Sequence, residues 1–79
     1  MRKDRHFFKE RALEGQIGSS LAVKLKKEIA WRAQEGMFLY EWSIPDHFMY
    51  MDVKKVQDYL LFLKFTVERH ENSLIIKWD

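Results

Sequence analysis

Three histidines, His6, His47 and His70, are the strongest candidates in this chain of 79 residues for a general base or a metal ligand. Cysteine is absent, so disulfides and thiolate metal sites are excluded. None of the histidines has a His-x-x-x-His spacing, and a zinc site would need carboxylates brought to it by folding. Asp46-His47 with Glu41 would supply a carboxylate and an imidazole for proton transfer. Adjacent residues in an extended turn point apart, however, and no serine stands in a nucleophile motif. The stretch "EGQIGSS" puts two glycines ahead of a helix start but lacks the lysine and spacing of a phosphate loop. It reads as a hinge. The expectation is a non-catalytic protein that needs no cofactor and no metal.

Binding chemistry is better represented. "MFLYEWSIPDHFMYM" concentrates five aromatic rings around the only proline. After that proline, Phe48, Met49, Tyr50 and Met51 follow in succession, too apolar for an ordinary loop. Phe48 and Met51 suit plugging a core, whereas Met49 and Tyr50 suit a protein interface, where thioethers and tyrosines adapt to a partner. Trp31 falls away from the apolar face of its helix, beside Lys24 and Lys27. That set could follow a phosphate backbone and stack a base, or could be an outer face that receives Phe7 or Phe8 of an N-terminal arm, or a second copy. Packing is the favoured reading of Trp31, because two lysines and a tryptophan are a small electrostatic footprint. The arm adds Arg2, Lys3 and Arg5, with Lys9 and Arg11, against Asp4 and Glu10, a mixture that more often forms a solvated helix face.

These residues need a scaffold, and the hydrophobic pattern supplies one. From Ser19 or Ser20 as N-cap, Leu21, Ala22, Leu25, Ile29 and Ala33 recur on one helical face, and Gly36 ends the helix. Met37 to Ile44 reads as a strand stopped by Pro45. Its alternation sends Phe38, Tyr40, Trp42 and Ile44 to the core and leaves Met37 and Leu39 on the other face with Ile75, an apolar patch for the arm or a second copy to cover. A second helix starts at Asp52 as N-cap, with Val53, Val56, Tyr59, Leu60 and Leu63 on one stripe. A two-residue turn at Glu71-Asn72 would then oppose Val67 to Ile76, Phe65 to Trp78, Thr66 to Lys77 and Lys64 to Asp79. The fold class is therefore α+β: a charged N-terminal arm or short helix over residues 1–18, set off by Gly15 and Gly18, then one domain over 19–79. Its order is αβαββ, with a three-stranded, mainly antiparallel sheet covered by two helices.

A composition of 47% hydrophobic and 15% aromatic residues is that of a folded globule, not a disordered chain. Nine Lys/Arg against five Asp/Glu in residues 1–36, and five against seven thereafter, polarise the surface without making a nucleic-acid arm. No apolar run is long enough for a signal peptide core or a bilayer span, so a soluble, cytoplasmic protein is expected. The alanine-containing helix ending in Gly36, the aromatic segment into Pro45, a short helix and the closing "SLIIKW", with Ile76 and Trp78, resemble small accessory proteins of bacteriophages and prophages over roughly residues 21–78. That resemblance implies a role in binding and altering a host or phage macromolecule, and it carries over no active site. The expected function is a binding or inhibitory protein that engages another protein through Trp31, Phe48, Met49 and Tyr50 and associates as a homodimer or higher. The alternative is a nucleic-acid accessory factor using Lys24, Lys27, Arg2, Lys3 and Arg5.

Overall fold

The computed structural model describes residues 5–78. Its elements are α1 (Arg5–Ile17), α2 (Ser19–Gln34), β1 (Leu39–Ser43), α3 (Tyr50–Phe62), β2 (Thr66–Arg69) and β3 (Ser73–Lys77). The strands form one antiparallel sheet in the order β1-β3-β2. This is the expected α+β fold, and of the two alternatives for the N-terminal segment, arm or short helix, it is the helix α1.

The closing hairpin has the expected register, with Val67 opposite Ile76 and Thr66 opposite Lys77. The His70 N–H donates to the Ser73 carbonyl at 2.9 Å, which closes the Glu71-Asn72 turn. One row beyond the strands, the Phe65 and Trp78 rings meet edge to face, with centroids 6.3 Å apart. The reason is period two: this register puts Phe65, Val67, Leu74, Ile76 and Trp78 together on the covered face and leaves Ile75 on the other.

On that face α2 lies over β1 and α3 over β2. Leu25 and Ile29 of α2, with Val53, Val56 and Leu60 of α3, enclose Trp42, Leu74 and Ile76 in one core. The stripes at i, i+4 and i+3, i+7 that the two helices present are those read from the sequence. Ala33, expected on this face, is exposed because it lies in the last turn of α2, past the core.

Both helices end in a Schellman motif, in which a residue of positive φ turns the chain back. After α2 the Gly36 and Met37 N–H groups donate to Ala33 and Arg32 carbonyls at 3.0 and 2.9 Å, with Gly36 at φ +85. After α3 the Lys64 and Phe65 N–H groups donate to Leu61 and Leu60 carbonyls at 3.0 and 3.2 Å. Here the turning residue, at φ 75, is Lys64 itself. An L side chain is disfavoured there, and Lys64 is exposed. Lys64→Gly is expected to raise stability by about 1 kcal/mol, read as a rise in Tm of about 4–8 °C for a domain of this size.

Helix starts depart from the sequence expectation. The N-cap of α2 is Gly18, at φ 94 and ψ 129, and no side chain caps it. Ser19 and Ser20 are already helical. Asp52 is not the N-cap of α3 but its third helical residue, and its carboxylate accepts the Met49 N–H at 2.9 Å. Gly15 does not interrupt α1, which stays helical to Ile17.

Phe38 is also displaced from its expected place. It is 61% exposed, because it precedes β1 at the end of the sheet where α2 has already terminated, and no helix lies over it. Nor does the arm cover the outer sheet face. That face keeps Leu39 and Ile75 among polar partners: Lys77 pairs with Glu68, and the Ser73 hydroxyl donates to Glu41 at 2.9 Å. Instead α1 packs on the back of α2 and α3. Its half-buried stripe is Phe7, Glu10, Leu13, Glu14 and Ile17, whereas Phe8 and Ala12 face outward. Arg2, Lys3 and Asp79, and with Asp79 its pairing to Lys64, lie outside the described residues, as does the His6 side chain.

Candidate protein-binding surface

The apolar connector after Pro45 becomes a built surface at the amino end of α3. The Phe48 N–H donates to the Pro45 carbonyl at 3.0 Å, a turn that drops the Phe48 ring onto the core. There it meets Trp42 edge to face at 5.7 Å and the His47 ring at 5.0 Å. With Phe48 anchored below and Asp52 fixing the helix start, Met49, Tyr50 and Met51 project at 74%, 71% and 58% exposure. Met51 is thus not a core plug: as the second residue of α3 it lies on the opposite side from Val53 and Val56.

Two open clefts flank Phe48. One, of about 260 Å³, is lined by Gln16, Ile17, His47, Phe48, Asp52 and Val56. The other, of about 250 Å³, lies between Pro45, Met49, Tyr50 and the hairpin residues Arg69, Glu71 and Asn72. Apolar projections beside clefts with a polar rim are what an interface centre needs.

Trp31 does not join this surface. It sits near the carboxyl end of α2, the end that leads into β1, whereas α3 starts beyond the far end of β1. It is 59% exposed, since α1 packs elsewhere and leaves the outer face of α2 uncovered. Lys24 and Lys27 are exposed on that same face. The Arg32 guanidinium lies 5.7 Å from the Trp31 ring and 4.2 Å from the Tyr40 ring, and it pairs with Glu28. Burial and the Glu28 carboxylate push the Tyr40 hydroxyl pKa up, against the opposing pull of Arg32. Of the basic arm, Arg5 is exposed. Lys9 turns its ammonium to the Phe62 ring at 5.5 Å, a packing role.

The residues considered for acid–base chemistry are dispersed. Glu41 is on the outer sheet face with Ser73, whereas His47 lies against Phe48. His70 Nε2 is 3.6 Å from Glu68 on the hairpin. Among the described residues no group of three His, Asp or Glu is placed to hold a metal ion, and no helix is long and apolar enough to cross a membrane.

One cluster has no counterpart in the sequence reading. Lys26 of α2 reaches Glu10 and Glu14 of α1, both at 3.0 Å, and lies 5.9 Å from the Tyr59 ring. The Tyr59 hydroxyl donates to Glu14 at 3.4 Å, and the Tyr59 side chain is wholly buried. Its signal was Lys26 beside the apolar stripe with two carboxylates four residues apart upstream, but nothing local says that those elements meet.

The hydrogen bond from Lys26 holds the Glu14 carboxyl below its usual range. Desolvation acts to lower the Lys26 pKa, but the bonds to Glu10 and Glu14 outweigh it and the net displacement is upward. Burial raises that of Tyr59. Glu14 therefore stabilises the fold above its unfolded pKa, and that contribution is lost as the pH falls through 4.5 and below. Lys26 and Tyr59 favour the fold until the pH rises past their unfolded values of 10.5 and 10.0. Stability measured by urea titration is expected to be flat between these limits and to decline on both sides. Lys26→Met should shrink the acid shoulder and lower the plateau by about 1 kcal/mol or less, since the pair is partly exposed, whereas an alkaline decline should remain because burial alone keeps the Tyr59 hydroxyl pKa up. A residual acid slope should persist, because Lys77 holds the Glu68 carboxyl low as well.

Compared with known proteins, the chain matches no family model, no curated protein and no solved structure.

Proposed function

We propose that this protein is a non-catalytic binding protein, of the accessory or inhibitory kind, that grips another protein with the amino end of α3. The observation that carries this reading is the run Met49, Tyr50 and Met51, strongly exposed yet mounted on a helix start fixed by Phe48 below and Asp52 beside it. A backbone fixed before binding leaves only side-chain freedom to be lost on association, and exposed thioethers and a tyrosine ring can adapt to the partner's surface. The clefts on either side of Phe48 are of a size to admit one large side chain each from the partner.

The test is recovery of the tagged protein from its native cells at low and high salt, with the co-purifying protein and nucleic acid both quantified. The expected result is a stoichiometric protein that survives high salt and is lost from Met49→Ser/Tyr50→Ser. Because both side chains are exposed, that double variant should keep its Tm within about 2–4 °C, the range of substitutions outside the core. A fall in stability as large as a core substitution gives would assign them to packing and remove the proposal.

A second reading rests on the uncovered outer face of α2, where Lys24, Lys27 and Trp31 are all exposed. It makes the protein a nucleic-acid accessory factor, with Arg5 of the arm contributing. Nucleic acid recovered at low salt and released at high salt, and lost on replacing those three residues by alanine, would select it.

A further inference from the structure

We infer that α1 is an exchangeable helix: the groove between α2 and α3 that it fills also receives α1 of a second copy, giving a domain-swapped dimer. The inference is independent of the protein-binding surface and rests on the joint between α1 and α2.

That joint is a single residue. α1 runs to Ile17 and α2 starts at Ser19, so Gly18 alone turns the chain between them, at φ 94 and ψ 129. Both flanking segments are already helical. Changing one residue to helical dihedrals would convert them into one continuous helix from Arg5 to Gln34, about 45 Å long at 1.5 Å per residue. The straight form has a backbone advantage. In the bent form α2 begins without a side-chain cap, and its first carbonyl–amide bond is Ala22 N–H to Gly18. In the straight form the amides of residues 18–21 would bond to carbonyls of α1.

What the straight form loses is the seat of α1, and a second copy restores it. The seat consists of Lys26 facing Glu10 and Glu14, the Tyr59 ring beneath, and Ile17 against the core. Exchange remakes every one of these contacts between chains, so the balance falls on the joint and on concentration. A short joint that holds a reversing turn between two helices favours such exchange. The dimer also alters the cleft beside Phe48, since Gln16 and Ile17 line it from α1. In the exchanged form the second copy supplies those two residues.

Gly18 allows a direct manipulation. A Cβ built there meets nothing within 4 Å, so Gly18→Ala introduces no clash and penalises only the positive φ. Each bent joint should lose about tenfold in its favour, so with two joints the dimerisation constant should rise by about a hundredfold. Inserting Gly-Gly after Gly18 relaxes the turn and should return the chain to monomer.

The decisive experiment keeps the native joint. Lys26→Glu in one full-length chain and Glu10→Lys/Glu14→Lys in another each place like charges together in the closed monomer. Mixed from denaturant, they restore both charge clusters only by exchanging α1. Size-exclusion chromatography with light scattering should show a one-to-one heterodimer in the mixture, absent from either chain alone, together with the dimer of Gly18→Ala. A mixture that stays as two separate species, folded or not, overturns the inference. So does association equally strong in wild type and in each charge variant alone, which would place the contact on another face.

Discussion

Trp42→Ala is expected to unfold most of the population at 25 °C. Trp42 is nearly fully buried, crosses the sheet opposite Leu74, and holds the edge of the Phe48 ring. Removing a core tryptophan loses its transfer free energy and leaves a cavity, a cost of about 3–5 kcal/mol. A small single core supplies only about 3–5 kcal/mol of net stability, so one substitution consumes the margin. Urea titration followed by far-UV circular dichroism should show no folded baseline. Trp42→Phe should retain a cooperative transition at lower urea. A wild-type-like midpoint for Trp42→Ala would mean that the sheet and α3 do not share this core. Because Phe48 rests on Trp42, loss of the ring should also release the Met49 to Met51 surface from its rigid mount.

Tyr59→Ala should be nearly as damaging, for a different reason. Tyr59 is the largest fully buried side chain, and it lies under α1 beside Lys26. Truncation opens a void between three helices and leaves the charges of Lys26, Glu10 and Glu14 without the ring that backs them, a loss of about 3–4 kcal/mol. Tyr59→Phe separates the two contributions. It keeps the volume and removes only the hydroxyl, whose bond to Glu14 is long at 3.4 Å, so about 1 kcal/mol or less is expected. Equal losses in the two variants would transfer the importance from packing to the hydrogen bond. Tyr59→Ala should weaken the closed monomer and the swapped dimer alike, whereas Gly18→Ala acts on the joint alone.

The legible parts of the sequence are those with local periodicity. The hairpin could be read to the residue because the alternation of Phe65, Val67, Ile76 and Trp78 leaves one register that keeps them together. The core stripes of α2 and α3 were readable for the same reason at period 3.6, and Gly36 marked its helix end because glycine takes a positive φ without steric cost. The exposure of Met49 and Tyr50 followed from there being more apolar residues after Pro45 than one turn can bury. Lys64 is not legible as a helix end, because a lysine carries no mark of the left-handed conformation that its neighbours impose on it.

The sequence by itself thus determined the order of elements from α2 onward, the covered faces of α2, α3 and the hairpin, and the apolar run after Pro45. Tertiary structure alone decided where α1 goes, and with it the meeting of Lys26, Glu10, Glu14 and Tyr59. It also decided that Trp31 and the Met49 surface lie at different ends of the α2 and β1 layer, and that Phe38 falls past the end of the helices. The physical reason is one of range. Periodicity records which side of an element is apolar, because each element needs one side in the core. It does not record which of several half-apolar elements will share that side, since the choice rests on contacts between residues far apart in the chain.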